Sequence, residues 1–116
     1  MASSTKAKSK TFTCPLFNVK AQLLVGKRTR EQADAISESW GYTDKGMVAR
    51  AFFVYNPDNL IDCLIWVEKP VFITHEAYHL VQWVLSSRGI PSGKKNEELV
   101  AYYMEYWTKA LKEALR

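Results

Sequence analysis

Apolar residues recur along this chain with two different spacings, and each change of spacing marks out an element. From Phe12 to Val25 they first alternate (Phe12, Cys14, Leu16) and then run together at Leu23-Leu24-Val25. This reads as one strand, or as two broken by Pro15 and Asn18. Between Thr29 and Gly41 the spacing lengthens, so that Ala33, Ile36 and Trp40 share one stripe of a helix. Thr29 opens it as N-cap, with Gln32 at the third position in capping-box spacing. Tyr42 to Gly46 is a turn. Met47–Tyr55 and Leu60–Val67 are rich in aromatic and β-branched residues and flank Asn56-Pro57-Asp58-Asn59, which predicts a β-hairpin.

Helical spacing returns at Pro70, a residue tolerated in a first turn. Ile73, Ala77, Leu80, Val81 and Val84 form one apolar stripe; His75, His79, Gln82 and Ser86 lie opposite, edged by Phe72 and Trp83. The far face carries no charge, which predicts a helix buried on two sides, against the sheet and against the final helix. Ser86 to Gly93 ends it, with Gly89 suited to a left-handed cap and Pro91 unable to continue. A last helix runs from Asn96 to about Leu115, with Glu97 and Glu98 in its first turn. One of its faces aligns Glu98, Ala101, Tyr102 and Glu105; another carries Tyr103, Trp107, Ala110, Leu111 and Ala114, free to cover the sheet or a partner. The order predicts an α+β domain: a small antiparallel or mixed sheet with a β-hairpin, packed by the histidine-bearing helix and a C-terminal helix. Residues 1–10, rich in Ser and Lys, read as a flexible basic tail, and residues 11–116 as one domain.

Composition narrows the classes. Of 116 residues 47% are hydrophobic, including four tryptophans, six tyrosines and five phenylalanines, which suits a packed core rather than disorder. No apolar run is long enough to span a bilayer, and no hydrophobic segment follows the basic amino end as in a secretory signal. The expectation is a cytoplasmic protein with no membrane partner. Cys14 and Cys63 are too few and too far apart for a disulfide framework and read as small buried hydrophobes. The net charge of +4 gathers at the tail and at Lys27-Arg28-Thr29-Arg30. No helix-turn-helix, RNA-recognition or zinc-finger signature accompanies it, so a solvated basic face is expected and nucleic acid is not an expected partner.

The candidate chemistry lies in Thr74-His75-Glu76-Ala77-Tyr78-His79. The only two histidines in the chain stand four residues apart with a glutamate after the first. Residues four apart share a helix face, so both imidazoles can reach one ion, and Glu76 is placed to take a proton from a water the ion activates. Chance would assemble this motif in a chain of this composition roughly once in a thousand tries. The bland alternative is a helix with two partly buried histidines bonded to local carbonyls. A catalytic zinc site takes three protein ligands, and the chain after His79 is long enough to turn and bring the next helix back with Glu98.

His75-Glu76-Ala77-Tyr78-His79 followed by Asn96-Glu97-Glu98-Leu99-Val100-Ala101 resembles the gluzincin metallopeptidases, in which an N-E-x-x-S/A segment on the following helix supplies a third, carboxylate ligand. With Glu98 opening E-x-x-A-Y, the chain is similar to small metallopeptidases of bacteriophages and prophages, which also place a strand such as Cys63–Val67 just before the motif helix. The likeness covers Phe52 to Tyr106. It implies a zinc-dependent metallopeptidase in the cytoplasm of a host cell, acting on a peptide or protein substrate. His75, His79 and Glu98 hold Zn2+, and Glu76 is the general base; Glu97, adjacent to Glu98, could serve instead. Where thermolysin-like enzymes carry an aspartate that orients a zinc-bound histidine, this chain has Tyr102. Glu105, on the same face as Glu98, or a backbone carbonyl could take that role, while Tyr102, Tyr103 or Tyr106 could stabilise an oxyanion. Residues 60–67 could hold an extended substrate by strand addition. Small phage proteins often act by binding. The alternative expectation is therefore a non-catalytic, zinc-stabilised protein that binds a host or assembly partner.

Overall fold

The first apolar segment forms two strands, with Asn18 in the turn between them and Pro15 outside the described residues. In a computed structural model of the chain, which describes residues 8–14, 16–42, 50–91 and 93–115, strand β1 (Lys8–Cys14) turns back through residues 16–18 into β2 (Val19–Val25). Asn18 takes a left-handed conformation at φ 52°, which asparagine tolerates. The pairing is antiparallel and begins at Lys8 opposite Val25, so Lys8 to Lys10 belong to a strand and not to a tail.

The hairpin of β3 (Ala51–Tyr55) and β4 (Asp62–Val67) forms as the sequence predicts, its two strands antiparallel. Residues 43–49, at its start and in the preceding turn, lie outside the described residues. The sheet order is β1-β2-β4-β3, and β2 pairs with β4 in parallel. A parallel pair needs a crossover, and here α1 (Arg30–Ser39) begins it. The result is a mixed sheet, an α+β fold in which, among the described residues, β2 and β4 lie inside and β1 and β3 outermost.

That placement explains Leu23-Leu24-Val25. β2 is covered on both faces, so it reads as an apolar run rather than an alternation. Leu23 and Val25 join Ile65, Val67, Leu80, Tyr103, Trp107 and Leu111 in the larger core, beneath α2 (Ile73–Ser87) and α3 (Glu97–Ala114). Leu24 joins Ala33, Val54, Leu64 and Trp66 beneath α1. The C-terminal helix therefore covers the sheet with its Tyr103/Trp107/Leu111 stripe.

Thr29 stands at the N-cap of α1, but the capping box is not made. Its hydroxyl donates to the Gly26 carbonyl at 2.8 Å and accepts from the buried Trp66 Nε1 at 3.1 Å. An indole N–H inside the core needs an acceptor, and that need outweighs the helix end. Thr29→Val should consequently lower the unfolding free energy by about 1–3 kcal/mol in a urea titration, because it removes one of the acceptors of that N–H. No change would show that the Gly26 carbonyl suffices.

The end of α2 follows the sequence closely. Gly89 has φ 76°, its N–H bonds to the Ser86 carbonyl, and the Ile90 N–H returns to Leu85 at 2.8 Å, which is a Schellman closure. Beside it, the Arg88 guanidinium donates to the carbonyls of Phe17 and Leu60, fastening both hairpin turns to the helix that carries the histidines. No helix among the described residues is long and apolar enough to cross a membrane.

Candidate metal centre

His75 and His79 project from α2 with their Nε2 atoms 3.1 Å apart and their rings at 73°. Two nitrogens bound to one tetrahedral zinc at about 2.0–2.1 Å lie about 3.3 Å apart. The pair is therefore already spaced as one edge of such a site. The same separation serves a hydrogen bond when one ring nitrogen is protonated and the other is not, which holds the rings together in the absence of an ion. Both side chains face solvent, His75 with 73% of its side chain exposed. The helix is thus buried on the sheet side and along the flank that meets α3, while its histidine side is open. This corrects the expectation that the uncharged face lies under the last helix.

Glu76 has the opposite environment. One residue along, it turns inward and is only 5% exposed, with its Oε2 4.0 Å from Nε2 of His75. Burial pushes its carboxyl above the ordinary range, and the two imidazoles pull it part-way back. A cation between the rings would favour the carboxylate further. A separation of 4.0 Å leaves the carboxylate within reach of a water that approaches the ring nitrogens.

The acidic residues of α3 are not gathered to this pair. Glu98, Tyr102 and Glu105 lie on the exposed outer strip of the helix with Ala101, and Tyr102 is 64% exposed. The core claims the Tyr103/Trp107/Leu111 stripe, and that turns the Glu98 strip away. Tyr103 is buried beside Cys14, its phenol oxygen 3.4 Å from the sulfur, and burial pushes its pKa up. It is a core residue, not an oxyanion donor. Glu97 stands on a different flank. With Tyr78, Gln82, Gly93, Lys94, Val100 and Ala101 it lines a groove of about 410 Å³ between α2 and α3. Tyr78 and Gln82 flank His79 on its own helix, and the Tyr78 ring meets the His79 ring edge-on at 6.1 Å. Among the described residues, no three His, Cys, Asp or Glu side chains stand together as a metal-holding group. What the structure brings together is His75, His79 and Glu76.

Both strands of the second hairpin pack against the motif helix, but the 60–67 segment lacks the edge that strand addition needs. β4 is paired on both sides, by β2 and by β3, and has no free edge. β3 is outermost among the described strands and runs past α2, from Phe72 just before that helix to Trp83 within it. Arg50 sits over the Phe72 ring, Phe53 meets Trp83 at 5.8 Å, and Tyr55 stacks on Trp83 at 5.0 Å. Phe72 and Trp83 precede and follow Glu76 and His79 by four residues each, so the apolar β3 strand and the motif share one flank of the helix. Neither the burial of Glu76 nor this role of β3 is visible in residue spacing alone.

Comparison with protein-family models, with curated proteins and with solved structures finds no match to this chain. The likeness to the gluzincins rests on the residues themselves.

Proposed function

We propose that this chain is a zinc-dependent hydrolase of peptide bonds. The observation that carries the reading is the arrangement of the motif: two imidazole nitrogens at a tetrahedral edge spacing, beside a buried carboxylate 4.0 Å from one of them. His75 and His79 would hold the ion through Nε2. Between the two candidates for a third ligand, Glu97 is better supported than Glu98, because it shares the groove beside His79 while Glu98 lies on the outer strip. Zinc, when bound, supplies Lewis acidity and lowers the pKa of a coordinated water toward about 7.

The rest of the chemistry belongs to the chain. Glu76 accepts a proton from the attacking water and returns one to the leaving amine. Its burial keeps bulk water from competing for the carboxylate. The aromatic side chains that β3 packs on Phe72 and Trp83 wall the same helix flank on which a substrate would lie. A direct test is hydrolysis of a fluorogenic peptide library by the purified chain, before and after dialysis against a chelator and again after one equivalent of zinc. Activity that disappears and returns supports the reading, while activity indifferent to the chelator rules it out.

A second reading has its own observation. Leu16, Tyr102 and Tyr106 are exposed at 62%, 64% and 42%, and with Cys14, Leu99 and Tyr103 they line an almost wholly apolar hollow of about 170 Å³. Such a patch suits a protein partner, with zinc acting only to stabilise the scaffold. On that reading, Glu76→Gln leaves the biological effect intact and Tyr102→Ser abolishes it.

A further inference from the structure

The sheet has a second face, opposite α2 and α3, and α1 covers only part of it. Leu24, Leu64 and Trp66 lie there beneath α1. Side chains alternate along a strand, so Gln22 and Lys20 share that face with Leu24, and Asp62 shares it with Leu64. Thr11, the register partner of Gln22, stands on it too. Apolar residues thus give way to polar ones where α1 ends, at the half-buried Trp40. With Cys63, these five line a hollow of about 230 Å³. Lys20 and Asp62 are register partners on neighbouring strands, a placement that suits an ion pair, yet none forms between them. Asp62 turns to Asn59 instead. The Asn59 Nδ2 donates to its Oδ2 at 2.7 Å, and Asn59 is itself held through Oδ1 by the N–H groups of Ile61 and Asp62 at 2.9 and 3.1 Å. The carboxylate is thereby fixed, with one oxygen to spare. Among the described residues, the side chains of Lys20, Gln22 and Thr11 have no hydrogen-bond or ion-pair partner.

We propose that this hollow binds one free α-amino acid with an uncharged side chain: its ammonium meets Asp62, its carboxylate meets Lys20, and its side chain lies on the Trp40 indole. Two opposite charges side by side, neither neutralised by the other, call for a ligand that carries both. Neighbouring strands stand about 4.8 Å apart, so one small molecule reaches the two groups together. Each contact is then a hydrogen bond between ionised partners, the stronger kind. A neutral ring such as a sugar would cover both charges without replacing the water they give up. Gln22 and Thr11 add an amide and a hydroxyl for the remaining lone pairs and protons. Drug-sized ligands occupy pockets of roughly 300–1,000 Å³, and this hollow is smaller, so its occupant is a single small molecule and not a length of chain. The hollow lies across the sheet from α2 and its histidines, and the inference stands apart from the peptide-hydrolase reading.

The experiment is an NMR titration of the full isotope-labelled chain, followed at the Trp40 indole N–H and at the main-chain amides of Gln22 and Asp62. The probes are L-leucine, L-phenylalanine, N-acetyl-L-phenylalanine amide and glucose. At least one of the two amino acids should move these resonances, with half-saturation at about 1 mM or below. The capped amide keeps the phenylalanine ring and loses both charges, so it should bind about tenfold or more weakly than the better amino acid, and glucose likewise. Lys20→Met changes an exposed side chain and leaves the core alone, and Asp62→Asn keeps shape while removing the charge. Each should weaken binding of the amino acid by about tenfold or more. No response to either amino acid at about 20 mM overturns the proposal. So does equal affinity for the capped amide or for glucose, unchanged affinity in Lys20→Met, or movement confined to the α2 resonances around His75 and His79.

Discussion

On the proposed function, replacing Glu76 by glutamine should leave zinc bound and lower peptide hydrolysis by about 10²–10⁴-fold, the range expected when a positioned general base is lost. The substitution keeps shape and volume and removes only the ability to take up a proton. Glu76 is not in line to ligate the ion, because its carboxylate is buried beneath the helix surface while the two ring nitrogens face outward. The metal content of the variant should therefore match the parent. Stability separates this from a folding effect. Burial already disfavours the charged form of Glu76, so a neutral amide removes a desolvation cost. The metal-free variant should melt no lower than the metal-free parent at pH 7. Hydrolysis within threefold of the parent would place the proton acceptor elsewhere, and a lower melting temperature would mean that the carboxylate has a structural role.

Removing either histidine should have the other large effect, this time on the metal. Loss of a group that merely orients a ligand costs about 10–100-fold in affinity, so His79→Ala or His75→Ala, which removes the ligand, should cost more than about 100-fold. Both rings are exposed, so neither substitution opens a cavity in the core, and the metal-free melting temperatures should stay with the parent. Zinc at 100 times its dissociation constant stabilises a folded chain by about 2.7 kcal/mol. A thermal shift on adding zinc is thus expected for the parent and absent for the alanine variants. Equal shifts in all three would assign the stabilisation to zinc bound elsewhere.

Much of this architecture is legible in the spacing of residues. The Asn56–Asn59 turn, the Gly89 cap and the Tyr103/Trp107/Leu111 stripe each act locally, through backbone conformation or a helical period, and local rules find them. What the spacing does not contain is competition between sites. Thr29 fits a capping box, yet the hydroxyl goes to the Trp66 indole, a partner 37 residues away in sequence. The final helix has two plausible faces. The Glu98/Ala101/Tyr102/Glu105 face suits a ligand, but burying Tyr103, Trp107 and Leu111 removes far more apolar surface from water. The larger side chains decide the rotation of the helix, and Glu98 goes outward with its face. The parallel pairing of β2 with β4 is likewise invisible in either strand alone. It makes β4 interior and leaves β3 outermost among the described strands. The pairing of His75 with His79 needed no such arbitration, since four residues of helix suffice to place it, whereas the burial of Glu76 between them depends on the packing around the helix.

The most direct test is zinc stoichiometry by native mass spectrometry on the parent chain, on the double variant His75→Ala/His79→Ala, and on Glu97→Ala and Glu98→Ala separately. One zinc per parent chain is expected, with none on the double variant and a greater loss from Glu97→Ala than from Glu98→Ala. Less than about half an equivalent on the parent, or as much zinc on the chain without histidines, would contradict the account.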